Sequence, residues 1–102
     1  MGGDMDGLPA IHPGEFLKDE LAALGLSARR LAANLQVPPN AVTAILNGQR
    51  GISATMAVRL ATAFGTTARY WLNLQALYDL KRAQENPELA AELREIRPYA
   101  AA

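Results

Sequence analysis

The stretch "LQVPPNAVTAILNGQRG", Leu35–Gly51, sets two prolines directly before a short apolar run and closes that run with Asn47-Gly48 and a solitary arginine. A residue before proline avoids the helical region, so Gln36-Val37-Pro38 must turn the chain. Pro39 suits a first helical position and restarts a helix, with Val42, Ile45 and Leu46 on its buried face. Asn47-Gly48 tolerates positive φ and stops it, which predicts a short helix over about 39–46. Its outward face carries Pro39, Asn40, Thr43, Ala44 and Asn47. Immediately upstream, Ser27 caps another helix that ends near Leu35, with Leu31, Ala32 and Leu35 inward and Arg29 and Arg30 outward.

Two short helices joined by a tight turn, the second begun by proline and polar outside, form a helix-turn-helix, the unit that places a recognition helix in the major groove of DNA. Asn and Thr side chains can pair with base edges or phosphates, and Ala44 can pack on a thymine methyl group. Gln49 and Arg50, in the loop after the helix, are placed to hold a phosphate. Ser27, with Arg29 and Arg30, brings the first turn of the preceding helix to the flanking backbone, aided by the positive end of its dipole.

Charge distribution agrees with a polyanionic partner, although the net charge is zero. From Leu21 to Tyr78 there is no Asp or Glu, and Arg29, Arg30, Arg50, Arg59 and Arg69 give this segment a charge of plus five. The acids cluster at the two ends, which screening over about 8–10 Å hides from the centre. Scattered arginines are also what an ordinary solvated surface carries, so charge supports the motif without replacing it.

Working outward, Pro13, Glu15 and the spacing of Leu17, Leu21 and Leu24 predict a first helix over roughly 13–24, stopped by Gly25. His12, the single histidine, is read as packing at the start of this helix. Ser53 caps a fourth helix with Met56, Ala57, Leu60, Ala61 and Phe64 on one face, and Gly65 stops it. Thr67 caps a fifth, whose residues Tyr70 to Leu80 are apolar around most of its circumference. One core needs only one stripe, so Tyr70, Trp71, Leu74, Leu77 and Tyr78 are expected to serve a core and a second subunit. Asn86-Pro87 opens a last helix, expected to run through Ile96 and to be terminated by Pro98. The expected organisation is an acidic flexible segment over 1–12, a helical domain over 13–84 and a C-terminal helix and tail over 85–102.

A chain of 102 residues fits one all-α domain of five to six helices. It has no cysteine, one histidine, no glycine-rich phosphate loop and no closely spaced carboxylate pair on a plausible cleft, so catalytic residues, metal ligands and cofactors are not expected. With no apolar stretch of about 20 residues and no basic leader, a soluble cytoplasmic protein is expected.

Residues 26–53, "LSARRLAANLQVPPNAVTAILNGQRGIS", resemble the phage-repressor-like (XRE, lambda/Cro) helix-turn-helix family. With the flanks "HPGEFLKDEL" and "NGQRGISATMAVRLATAFGTTARYWLNLQALYDL", the chain is similar to the HigA (VapI-type) antitoxins within it. The most distinctive parts are His12-Pro13-Gly14-Glu15 and the block Tyr70-Trp71-Leu72-Asn73-Leu74-Gln75. The resemblance implies a lambda-repressor-like fold, a homodimer that represses its own operon on double-stranded operator DNA, and an inhibitory contact with a HigB-like toxin, an mRNA-cleaving ribonuclease of the RelE-like class. It carries recognition positions onto Asn40, Ala41, Thr43 and Ala44, and backbone-contact positions onto Ser27, Asn47, Gln49 and Arg50. Three residues depart from the wider family pattern: Ala28 where Gln is frequent, Gln36 where the turn usually has Gly, and Ala41 where a long polar side chain is common. Toxin contact is expected at Glu15, Asp19 and Glu20, since an RNA-cleaving partner is cationic. A repressor without a toxin, and a protein-interaction module on the same scaffold, remain as alternatives.

Overall fold

The computed structural model describes residues 9–100, in which six helices and no strands occur. They are α1 (Pro13–Leu24), α2 (Ala28–Leu35), α3 (Pro39–Leu46), α4 (Ala54–Phe64), α5 (Ala68–Gln84) and α6 (Pro87–Leu93). Of the acidic segment expected over 1–12, residues 1–8 lie outside the described residues, as do residues 101 and 102 of the tail.

Helix starts follow the capping residues. Ser27 Oγ accepts from the Arg30 N–H at 3.1 Å, Ser53 Oγ from Met56 at 3.2 Å, Thr67 Oγ1 from Tyr70 at 3.0 Å and Asn86 Oδ1 from Glu88 at 2.9 Å. Each bond satisfies one of the orphan donors of a first turn. His12 does the same for α1, its Nδ1 accepting from the Gly14 N–H at 2.9 Å, ahead of Pro13 at the first helical position. Gly25 (φ 62°) and Gly65 (φ 72°) end α1 and α4 in the left-handed region, where a Cβ is costly.

α1 packs on α3 and α5, α2 on α3 and α4, and α4 on α5. The core where they meet contains Leu17, Leu21, Leu31, Ala32, Leu35, Val42, Ile45, Ile52, Met56, Ala57, Leu60 and Trp71. Burying a side chain the size of Leu or Ile stabilises by about 1.5–3 kcal/mol, so five helices are held by one cluster. Gly14 allows the first turn of α1 to reach the end of α3, because a Cβ there would run into the Ile45 carbonyl oxygen.

Two expectations are corrected. Trp71, expected at a subunit interface, is fully buried in the chain's own core, and its indole N–H donates to Thr66 Oγ1 at 2.9 Å. The Gly65-Thr66 turn brings that hydroxyl back over α5, so the one polar atom of the indole is satisfied inside. The last helix stops at Leu93, not Ile96, and continues only as a turn with Glu95 N–H bonded to the Glu92 carbonyl and Ile96 N–H to the Leu93 carbonyl, each at 3.0 Å. α6 packs on α5 but buries no residue, and helices this short rarely persist on propensity alone. Among the described residues, no helix is long and apolar enough to cross a membrane.

Candidate nucleic-acid interface

The turn between α2 and α3 is built from Gln36, Val37 and Pro38. Gln36 sits at φ 63°, the only positive φ at a non-glycine among the described residues. Its N–H bonds to the Ala33 carbonyl at 3.2 Å, and the Val37 N–H to the Ala32 carbonyl at 3.0 Å. This pair of bonds is the Schellman arrangement that closes a helix and redirects the chain. Arg59 of α4 locks the same corner, its Nη1 donating to the Leu35 carbonyl at 2.6 Å. α3 then begins at Pro39 behind Pro38, with no side-chain cap. Two prolines remove two donors that the first turn would otherwise leave unsatisfied.

On α3, Asn40, Thr43 and Asn47 are exposed and Ala44 is half-buried; at spacings of three and four residues they share one face. Pro39 is exposed at its start. Ala41 does not join them. It is 7% exposed and belongs to the core with Val42 and Ile45, on the buried side of the helix and not in the outward row. A side-chain contact to bases at Ala41 is therefore withdrawn.

Past α3, the chain folds back under the helix end. Asn47 has ordinary negative φ, and it is Gly48 that takes the left-handed conformation, at φ 74°. The Ala44 carbonyl accepts from both Gln49 N–H (2.8 Å) and Arg50 N–H (3.2 Å), which brings these two exposed side chains beside the outward row. The backbone of Ile52 is fixed in turn by Gln75 of α5, whose Oε1 accepts its N–H at 2.7 Å.

Both ion pairs among the described residues, Lys18–Glu15 (3.1 Å) and Lys81–Glu85 (3.7 Å), lie outside the acid-free segment. Arg29, Arg30, Arg50 and Arg69 are exposed there with no carboxylate partner among the described residues, whereas Arg59 is engaged with the Leu35 carbonyl. Ser27 Oγ accepts from Arg30 N–H and keeps its own proton to donate outward. A polar row on a short helix, flanked by unpaired arginines and free of acids, can engage the grooves and phosphates of a duplex.

On α5, Tyr70, Leu77 and Leu80 are 39%, 51% and 55% exposed, while Leu74 and Tyr78 are half-buried. Tyr78 meets His12 edge-on at 4.9 Å and accepts from Arg82 Nη1 at 2.6 Å. Of the acids on α1, Glu15 is paired with Lys18, Asp19 is exposed and Glu20 half-buried. Sequence reasoning missed Gly14 beneath α3 and the bonds from Arg59 and Gln75, all of which depend on segments brought together only by the fold.

This geometry is that of a helix-turn-helix domain, and the helix-turn-helix family model matches residues 17–71. Virulence-associated protein I of Dichelobacter nodosus is 49% identical over 82 residues, 79% of this chain and 76% of that protein. Among solved structures, an addiction-module antidote protein of the HigA family from Coxiella burnetii superposes with a TM-score of 0.83 at 50% identity, covering 90% of this chain and all of that one. The Pseudomonas aeruginosa antitoxin HigA with the higBA promoter gives 0.81 at 42%, covering 88% and 98%. The chain belongs to the helix-turn-helix family, in its HigA-type antitoxin branch.

Proposed function

We propose that this protein is the antitoxin of a two-gene module. It binds its operator as a dimer to repress its own operon, and it neutralises an mRNA-cleaving toxin by direct contact. The observation that carries the DNA-binding half is the outward row Asn40, Thr43, Ala44 and Asn47, bounded by unpaired Arg50. A relative of similar fold solved with promoter DNA supports it. Asn40 and Thr43 read bases; Ser27, Arg29, Arg30, Asn47, Gln49 and Arg50 hold the backbone.

Dimerisation is supported by the exposed Tyr70, Leu77 and Leu80 on α5, flanked by Leu74 and Tyr78. A two-fold through that face would set two copies of α3 about 34 Å apart, one turn of DNA, on a palindromic site. For the toxin, Asp19 and Glu20 are the available acids on α1, and Glu15 is the weaker candidate because Lys18 already offsets it.

The test is titration of the purified protein against its own promoter fragment at two salt concentrations, with and without the product of the adjoining small gene. Specific binding modulated by that product supports both halves. Tight association of the two proteins without specific DNA binding would overturn the operator-binding half. Within the DNA site, Arg50→Ala should weaken binding to all sequences and flatten the salt dependence, whereas Thr43→Ala should alter preference at one base step. Identical behaviour of the two variants would refute the division between reading and anchoring residues.

A further inference from the structure

The block Tyr70-Trp71-Leu72-Asn73-Leu74-Gln75 is accounted for by the core and the apolar face of α5 except at its last residue. Gln75 is half-buried and faces the loop that follows α3. Its Oε1 accepts from the Ile52 N–H at 2.7 Å, and its Nε2 donates to Asp79 Oδ1 at 3.0 Å. A carboxylate only accepts, so Asp79 fixes which end of the amide faces it and leaves the oxygen toward Ile52. Gly51 completes the arrangement. A Cβ there would come within 2.9 Å of both polar atoms of the amide, closer than such contacts ever approach, although its φ lies outside the left-handed region.

The loop is thus held at two points. At one end the Ala44 carbonyl takes the Gln49 and Arg50 N–H groups; at the other Gln75 takes that of Ile52, whose side chain is in the core. Between the two holds stand the exposed Gln49 and Arg50 side chains. We propose that Gln75 is a positioning residue for DNA binding: from α5, its amide fixes the Gly51-Ile52 peptide so that Arg50 is presented to a phosphate already ordered. This rests on the reading of Arg50 as a phosphate anchor. Without the amide, the loop no longer holds Arg50 against the phosphate, and that contact is lost together with its counterion release.

The experiment measures affinity for the promoter fragment and for an unrelated duplex across a salt series, with thermal unfolding alongside. Gln75→Met keeps the side-chain length and removes the strong acceptor. Affinity for both duplexes is expected to fall about fivefold, the worth of one net hydrogen bond. The slope of log affinity against log salt should become shallower by about 0.9, the signature of one lost phosphate contact. Gly51→Ala, which pushes the amide aside from the opposite direction, should do the same and carries the test if Gln75→Met does not fold. The double variant Arg50→Ala/Gln75→Met should bind no more weakly than Arg50→Ala alone. A wild-type slope in Gln75→Met or Gly51→Ala, with Arg50→Ala shallow, overturns the positioning role only. A wild-type slope in Arg50→Ala itself overturns the anchoring role of Arg50 and this proposal with it.

Discussion

Gly14 is the most exacting contact beneath the recognition helix, and Gly14→Ala tests it. A Cβ at this position would overlap the carbonyl oxygen of Ile45, in the last turn of α3, and would also come within 3.1 Å of His12 Nδ1, which caps α1. The obstacle is backbone, so no rotamer change relieves it; α1 and α3 must separate. Overpacking of this kind costs about 1–3 kcal/mol. The gain from replacing glycine by alanine in a helix offsets at most about 1 kcal/mol, and less in a first turn. A net loss of about 1–2 kcal/mol is expected, which for a domain of this size lowers Tm by roughly 5–15 °C at fixed protein concentration.

The assay is thermal unfolding followed by circular dichroism, paired with promoter affinity measured well below Tm. Because the strain falls on α3, the folded variant should also bind the promoter more weakly. Gly25→Ala is the control. Nothing lies within 4 Å of a Cβ there, and its φ of 62° makes the substitution cost about 1 kcal/mol through the backbone alone. It should lower Tm while leaving the promoter affinity of the folded protein unchanged. A Gly14→Ala protein as stable as wild type, or one destabilised with unaltered promoter affinity, would refute the assignment of Gly14 to spacing α1 from α3.

Gln36→Gly relieves the left-handed residue in the α2–α3 turn and should stabilise by roughly 0.5–1 kcal/mol, read as a higher midpoint in urea with unchanged slope. Arg59→Met removes the bond to the Leu35 carbonyl and should destabilise by about 1 kcal/mol; its salt dependence of DNA binding should stay that of wild type, since Arg59 is engaged within the fold. Trp71→Phe deletes the indole N–H and part of a fully buried ring and should cost about 1–3 kcal/mol in denaturant unfolding. Asp19→Lys with Glu20→Lys should weaken toxin association, chiefly by slowing its on-rate at low salt, and unchanged association kinetics would remove this face of α1 from the toxin contact.

Helix starts and stops were legible because their causes are local. Ser27, Ser53, Thr67 and Asn86 each bond within three residues of themselves, and Gly25 and Gly65 act on their own φ. The outward row of α3 was legible from its period, apart from Ala41. Alanine is too small to declare its side, and here neighbouring helices claim it. Trp71 was grouped with the residues shared between core and subunit contact because an all-round apolar helix does not say which residues its own core takes alone. The bonds from Arg59 and Gln75 span 24 and 23 residues, and the contact of Gly14 with Ile45 is longer still. No periodicity carries such pairings. They exist only once α1, α4 and α5 have packed around the helix-turn-helix.

These long-range contacts converge on one place. The turn before α3 is bound by Arg59 of α4, its last turn receives the start of α1 at Gly14, and the loop beyond it is bound by Gln75 of α5. α1 carries the acids proposed for the toxin, and α5 carries the apolar face proposed for the second subunit. Both candidate protein surfaces therefore lie on elements that touch the recognition helix or its loop directly. A partner that displaced α1 relative to α3 would change the geometry offered to DNA, and by linkage DNA would change that partner's affinity by the same factor. A partner that docked on α1 without moving it would add binding energy and leave the operator affinity per protomer unaltered. The sign and size of that coupling depend on whether the α1–α3 contact can shift. The backbone-to-backbone fit at Gly14 leaves little room for a shift short of separating the two helices.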